Sequence, residues 1–269
     1  MLKHAALALI LVGFAACRTG SNYTDLAGPR HAGGAATLSS GPDAGPRLRV
    51  ATFNIAFARR VDRAIAVIES DPFLRQADVV LLQEMDEPGT RRVAGALGMA
   101  YVYYPATRHL RTHRDFGNAV LSRWPIVDDA KILLPHLGFI GRLQRTATAA
   151  TIRVAGSLVR VYSAHLSTMV GATAAGRRAQ LGVILADAGL YERVVIGGDM
   201  NSHGVGRLCR ERGYLWPTEH GPRTTRFGRW DHIFFKGLEI SWADSAGTVL
   251  DVRGASDHRA VWADATLAE

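Results

Sequence analysis

Apolar positions recur along the chain with distinct spacings, and each spacing predicts an element. Arg47–Ile55 is β-branched and apolar and carries Asn54 near its end, which predicts a first strand. Val61–Ser70 places Val61, Ile65 and Ile68 at helical spacing. Asp78–Leu82 is a continuous apolar run, the pattern of a strand buried on both faces, with Gln83 and Glu84 at its end. Thr90–Leu97 predicts a helix stopped by Gly98. Further strands are predicted over Ala100–Tyr104, Asn118–Ser122, Ala130–Leu134, Thr146–Val154, Leu158–Ala164, Val194–Ile196, Asp231–Phe235, Leu238–Trp242 and Arg259–Trp262, and a helix over Ala174–Ala188. Strands outnumber helices and do not alternate with them. The expected fold class is therefore α/β, with two packed mixed sheets flanked by helices rather than a simple βαβ array.

The two ends of the chain read differently. Residues 1–17 (MLKHAALALILVGFAAC) have a positive start at Lys3 and a short apolar run, the pattern of an export signal and too short to span a bilayer. Ala15-Ala16 before Cys17 resembles a bacterial lipoprotein signal, in which Cys17 becomes the acylated first residue; Phe14 departs from the usual Leu of that signal. The expected location is the cell envelope as a lipoprotein attached to a membrane through Cys17, with simple secretion as the alternative. Residues 18–46 are rich in Gly, Ala, Ser and Pro without helical or strand period, and read as a flexible tether. The catalytic domain is expected over 47–269, a length suited to one α/β unit, and the protein is expected to be a monomer.

Composition adds little to the fold and something to the partner. The chain has 269 residues, 48% hydrophobic and 21% charged, which is ordinary for a globular domain. Its net charge of +8 suits an anionic partner: nucleic acid, anionic lipid or a phosphate-rich small molecule. Two cysteines in unlike contexts, Cys17 and Cys209, make neither a disulfide framework nor a zinc site, and Cys209 reads as a small apolar core residue in a helix.

Five short strings at strand ends carry the chemistry: TFN at 52–54, QE at 83–84, AHL at 164–166, GDMN at 198–201 and SDH at 256–258. They supply Glu84, Asp199, Asp257, Asn54, Asn201, His165 and His258, an inventory that suits a hard divalent cation and a phosphate. A carboxylate at the end of a buried strand is costly unless exposed or bound to a cation, which singles out Glu84. Gly197-Gly198 permits a sharp turn before Asp199, and Asn201 has an NH₂ able to donate to a crowded phosphorus centre. Asp231 in WDHIFF offers a carboxylate to orient His258, whereas its neighbour His232 would face the other way and is read as structural.

Taken in order, TFN, QE, FGNAVLSRWPI, AHL, GDMN, WDHIFF and SDH resemble the endonuclease/exonuclease/phosphatase superfamily, whose members include pancreatic-type deoxyribonuclease, abasic-site endonucleases, bacterial sphingomyelinases and inositol polyphosphate 5-phosphatases. The resemblance runs from about residue 48 to 264 and implies a four-layer α/β sandwich. It further implies that Glu84 ligates Mg²⁺ (or Mn²⁺), with Asn54 and Asp257 supporting the metal. Asp199 would activate water or hold the metal, and Asn201 would bind the transition state. His165 would contact the scissile phosphate. His258, oriented by Asp231, would be general base or phosphate-binding imidazole. The implied reaction is hydrolysis of a phosphate ester, most simply a phosphodiester, by in-line attack of water.

The ester itself is not identified. Arg108, Arg111 and Arg114 crowd into the 107–118 segment beside Asn118, and Arg142 and Arg145 lie in a second loop; together they are expected to rim the cleft as substrate-binding groups. A nuclease, a sphingomyelinase-like phospholipid hydrolase with Phe139, Ile140, Met169 and Val170 at its mouth, and a catalytically silent anion-binding protein all remain open.

Overall fold

Strands buried on both faces need a layer on each side, and the chain supplies it. A computed structural model describes residues 21–37, 47–109, 112–139, 141–241 and 245–267. In chain order its elements are β1 (Ser21–Asn22), β2 (His31–Gly33), β3 (Arg47–Asn54), α1 (Val61–Ser70), β4 (Val79–Met85), α2 (Glu87–Leu97), β5 (Ala100–Arg108), β6 (Asp115–Ser122), β7 (Ile126–Leu133), β8 (Thr146–Val154), β9 (Ser157–His165), α3 (Ala174–Ala188), β10 (Val194–Asp199), α4 (Gly206–Glu211), β11 (Asp231–Lys236), β12 (Ala246–Thr248) and β13 (Val261–Thr266).

The strands form two mixed sheets. The larger runs β1-β5-β6-β4-β3-β13-β12, with β2 also on β5; the smaller runs β11-β10-β9-β8-β7. β3 and β4 are parallel, as are β9 and β10, and the remaining pairs are antiparallel. Alternation along each strand then divides the core into three slabs. On β3, Ala51 and Phe53 pack with Val61, Val67 and Ile68 of α1, while Leu48 and Val50 face Val161, Val195 and Ile233 of the other sheet. On the far side of the smaller sheet, Tyr162, Ile196 and Phe234 pack with Leu181 and Ile184 of α3. This is the expected four-layer sandwich.

Local sequence explains the helix ends. Asp86 caps α2 by accepting from Gly89 N, and Gly98, in the left-handed region at φ 61°, closes it. Thr173 caps α3 in the same way through Gly176 N.

Two expectations change. The residues expected as a strandless tether over 18–46 are, over 21–33, partly built into the larger sheet. Ser21 and Asn22 pair with Arg108 and Thr107, and His31–Gly33 pair with Tyr103–Tyr101. Lys131 Nζ donates to the carbonyls of Asp25 (2.7 Å) and Gly28 (2.5 Å), and Arg30 pairs with Asp129 (2.5 Å). The open edge of β5 offers unpaired backbone groups, and very short strands satisfy them without any apolar alternation to betray them. Cys17, the 1–17 signal and residues 38–46 lie outside the described residues. At the other end, Glu239 makes an isolated bridge to Thr266 where a strand was expected and no strand runs over the described residues 238–241, Trp242 lying outside them; β13 begins at Val261 rather than Arg259. No helix among the described residues is long and apolar enough to cross a membrane.

Candidate active site

The register of the smaller sheet sets three groups side by side. Asp199 pairs with His165 across the parallel β9–β10 ladder and with Asp231 across the antiparallel β10–β11 ladder. The larger sheet meets this row at the ends of its parallel pair, where Asn54 is in register with Gln83. The two sheets are joined there by polar contacts. Ser163 Oγ accepts from Gln83 Nε2 and donates to the Leu82 carbonyl, both at 3.0 Å.

Close approach at this seam demands glycine. A Cβ on Gly198 would lie 1.9 Å from the Ala164 carbonyl oxygen, and its φ of 141° is in the left-handed half of backbone space; a Cβ on Gly197 would lie 2.5 Å from Leu81 Cδ1. The same region gathers non-glycine residues with positive φ: Ala56, Phe57, Ala58, Glu84 and Asn201. Such conformations cost energy and collect where the backbone must aim a side chain. At Glu84 a register shift between Leu82 and Met85 accompanies the turned backbone.

Asn54 links the two sheets' acids. Its Nδ2 donates to Glu84 Oε1 (3.2 Å) and to Asp199 Oδ2 (3.1 Å), while its Oδ1 accepts from Ala56 N (3.0 Å). Glu84 Oε2 accepts from Phe57 N (3.0 Å). His165 Nε2 lies 3.3 Å from Asp199 Oδ2 and 3.9 Å from Glu84 Oε1. His258 Nδ1 lies 2.9 Å from Asp231 Oδ2, and its Nε2 lies 3.7 Å from Asp199 Oδ2. Asn201 N donates to Asp199 Oδ1 (2.9 Å), and Asn201 Nδ2 donates to the Leu166 carbonyl (3.0 Å). Groups scattered from residue 54 to 258 thus share one small volume.

Burial polarises this cluster. It pushes Asp199 up to about 7, against the pull of His258, and raises Glu84, against Arg145 and Asn54. Burial and the charge of Arg145 hold His165 well below the ordinary imidazole range, so it is neutral. For His258, burial is overcome by the carboxylates of Asp231 and Asp199, which raise it from 6.5 to about 10.

The donor set fits a divalent cation. Glu84 is partly open to solvent and Asp257 is exposed, and the charge of Asp257 adds a little to the rise of Glu84. Burial disfavours the charged forms of Glu84 and Asp199, and a divalent cation would offset that cost. Asp199, Asp231 and His258 also bring ligand-type atoms within 4.8 Å of one another, but the Asp231–His258 contact already occupies one nitrogen of the ring. Glu84 and exposed Asp257 lie outside that contact and could hold a cation, with Asn54 bonded to Glu84.

The expected rim divides. Arg145 enters the site: its Nη1 lies 3.0 Å from His165 Nδ1, and its guanidinium sits over the Phe116 ring. Arg114 turns to Asp86, its ion-pair partner, and exposed Arg108 donates from Nε to the His113 carbonyl (2.9 Å). Arg111 and Ile140 lie outside the described residues. Asn118 is buried with its Nδ2 donating to the Thr146 carbonyl (2.7 Å), so that nitrogen ties β6 to β8. His232 is buried and accepts from Trp216 Nε1 (3.2 Å), and Cys209 is buried in α4.

Sequence reasoning missed Ser256. Its Oγ donates to the Asn54 carbonyl (2.7 Å) and accepts from His258 N (3.1 Å), which fixes the loop carrying the histidine. A hydroxyl two residues before a candidate histidine is the only local sign of that role.

Comparison with known proteins agrees with this fold. The chain matches the model of the Endonuclease/Exonuclease/phosphatase family over residues 51–258. No curated protein matches it. Its fold is similar to that of an endonuclease/exonuclease/phosphatase from Beutenbergia cavernae, at 23% identity over 82% of this chain and 72% of that one, TM-score 0.68. It is similar to the human Nocturnin catalytic domain with bound sulfate, at 18% identity over 89% and 98%, TM-score 0.61. It is also similar to D. rerio TDP2 complexed with a single-strand DNA product, at 17% identity over 82% and 99%, TM-score 0.61. At these identities the structural neighbours establish the fold. Because the family model spans most of its length, the chain belongs to the Endonuclease/Exonuclease/phosphatase family.

Proposed function

We propose that the protein is a divalent-metal-dependent phosphodiesterase, exported to the cell envelope and acting as a monomer. The family includes phosphodiesterases, nucleases and TDP2- and Nocturnin-like enzymes; its members are generally phosphoesterase hydrolases and typically depend on a divalent metal. The observation that carries the reading is the bridge from Asn54 Nδ2 to both Glu84 and Asp199, with His165 and His258 turned toward the same carboxylate. The sulfate on Nocturnin and the DNA product on TDP2 are consistent with a phosphoester in this cleft.

Glu84 and Asp257 would hold the cation, and Asn54 would fix the Glu84 rotamer. A bound Mg²⁺ or Mn²⁺ supplies neutralisation of charge that builds on the phosphate oxygens. His258, kept protonated by Asp231, donates from Nε2 to a phosphate oxygen. Asp199, unusually basic for a carboxylate, accepts the proton of the attacking water. Neutral His165, with Arg145 behind it, supplies a further donor to the phosphate, and Asn201 steadies Asp199 through its backbone N–H.

The test is hydrolysis of a chromogenic phosphodiester with Mn²⁺ or Mg²⁺ and with EDTA. Turnover is expected with metal, is abolished by EDTA, and is lost in Glu84→Ala and His258→Ala chains that still fold. A fully active His258→Ala enzyme refutes the assignment. A silent anion-binding protein would bind phosphate without turnover.

A further inference from the structure

Among the described residues no carboxylate makes a salt bridge with Arg145, although Glu84 and Asp199 lie within electrostatic reach of its charge. Rings seat its guanidinium instead. Nη1 lies 3.0 and 3.1 Å from the two nitrogens of His165, and the guanidinium carbon lies 5.4 Å from the centre of the Phe116 ring. An arginine without a bidentate acid partner depends on the backbone that delivers it. That backbone is turned at a cost: Arg142 has a φ of 48°, in the left-handed region that a non-glycine residue seldom enters, directly after Gly141 at 67°. Gln144 ties the inner side of the turn, its Nε2 donating to the Leu134 and Arg145 carbonyls at 2.6 and 2.8 Å. The outer side needs partners from elsewhere in the chain.

They come from the N-terminal segment. Asn22, in β1, donates from Nδ2 to the Arg142 carbonyl (2.8 Å) and accepts at Oδ1 from Gln144 N (2.9 Å). A carboxamide does both at once because it carries a donor and an acceptor side by side. The next residue, Tyr23, donates from its hydroxyl to Asp115 Oδ1 (2.7 Å), and Asp115 immediately precedes Phe116. Two consecutive residues thus hold both supports of Arg145: its own turn through Asn22, and its ring seat through Tyr23. β1 is set in turn by its ladder to Arg108 and Thr107, and by Tyr23 N donating to the Ala106 carbonyl (2.9 Å). None of these contacts involves Glu84 or Asp257.

Resting on the phosphodiesterase reading, in which Arg145 backs a phosphate-contacting His165, we propose that Asn22 and Tyr23 are positioning residues of the active site. They hold the Arg145 guanidinium where its charge meets that of the phosphate. The short strand ahead of the catalytic domain is then a working part of the cleft and not only a lead-in to it. Their influence passes through Arg145 and vanishes with it. Lys131 holds the same segment further along, at the Asp25 and Gly28 carbonyls, and lies outside this route.

The experiment is a double-mutant cycle on the full chain, with Asn22→Ala and Tyr23→Phe each made beside Arg145 and beside Arg145→Gln. Affinity for inorganic phosphate is read by titration calorimetry in EDTA, and kcat/KM on the chromogenic phosphodiester with Mn²⁺. Beside Arg145, Asn22→Ala is expected to weaken both by about 5- to 10-fold, and Tyr23→Phe by about 2- to 5-fold, as the hydrogen bonds lost would allow. Beside Arg145→Gln each effect should shrink below about twofold. Amide exchange over 141–145 should quicken about 10-fold in Asn22→Ala. Lys131→Met should leave phosphate affinity near wild type. Tyr23→Phe keeps the ring, so the cycle is read even where Asn22→Ala fails to fold. Equal losses in the two backgrounds mean a general structural role and overturn the proposal; so do unchanged phosphate affinity and kcat/KM, or unchanged exchange. The two readings fail separately. A chain whose phosphate binding shows the coupling but which never hydrolyses the diester sinks the hydrolase alone. A chain that hydrolyses the diester with additive effects sinks the positioning role alone.

Discussion

Asn54 is the residue on which the proposed site can be broken most cleanly. It is fully buried, and its single NH₂ serves Glu84 and Asp199 at 3.2 and 3.1 Å. Asn54→Ala leaves both carboxylates without that donor and facing each other across a small void. A hydrogen bond to a charged acceptor is worth about 1.5–3 kcal/mol, so losing two is expected to cost roughly 3–6 kcal/mol of folding stability without metal. Asn54→Asp is expected to be worse. It keeps the oxygen that accepts from Ala56 N but puts a third acid where the donor was. Urea denaturation in EDTA reads the stability. If Glu84 binds the metal as proposed, the Mn²⁺ concentration giving half-maximal turnover should rise about 10- to 100-fold in Asn54→Ala. Wild-type urea midpoints and wild-type Mn²⁺ dependence in both variants would refute the reasoning.

Three other outcomes are expected. Gly198→Ala should lose roughly 3–5 kcal/mol by urea denaturation, because its Cβ would sit 1.9 Å from the Ala164 oxygen; a change below about 1 kcal/mol would contradict the close approach. Lys131→Met removes the ammonium that donates to the Asp25 and Gly28 carbonyls, so limited proteolysis within 21–37 should quicken while diester turnover stays near wild type; equal cleavage rates would mean that the segment is held by other contacts. Metabolic labelling with a fatty acid should tag the wild-type chain and not Cys17→Ser; an unlabelled, freely secreted wild type would leave export without lipidation.

The fold was legible where pattern is local and hidden where it is not. Continuous apolar runs marked β4 and β10 as buried strands, and helical spacing marked α1. The pairings of β1 and β2 with β5 rest on backbone groups at an open edge, which no side-chain pattern reports. The chemistry-bearing residues stood out because they end strands; their meeting depends on strand order, which sets His165, Asp199 and Asp231 in one row. The rim was the least legible part. Whether an arginine faces a phosphate or an acid is decided by distant partners, as Asp86 decides for Arg114 and His165 for Arg145.

The central claim is that Glu84 holds a catalytic cation within reach of Asp199 and His258. Anomalous diffraction from crystals soaked in Mn²⁺ addresses it most directly. A dominant peak against the Glu84 carboxylate, absent from Glu84→Gln crystals, is the predicted result. A peak that persists in Glu84→Gln, or one seated among Asp199, Asp231 and His258 with Glu84 uninvolved, would contradict it.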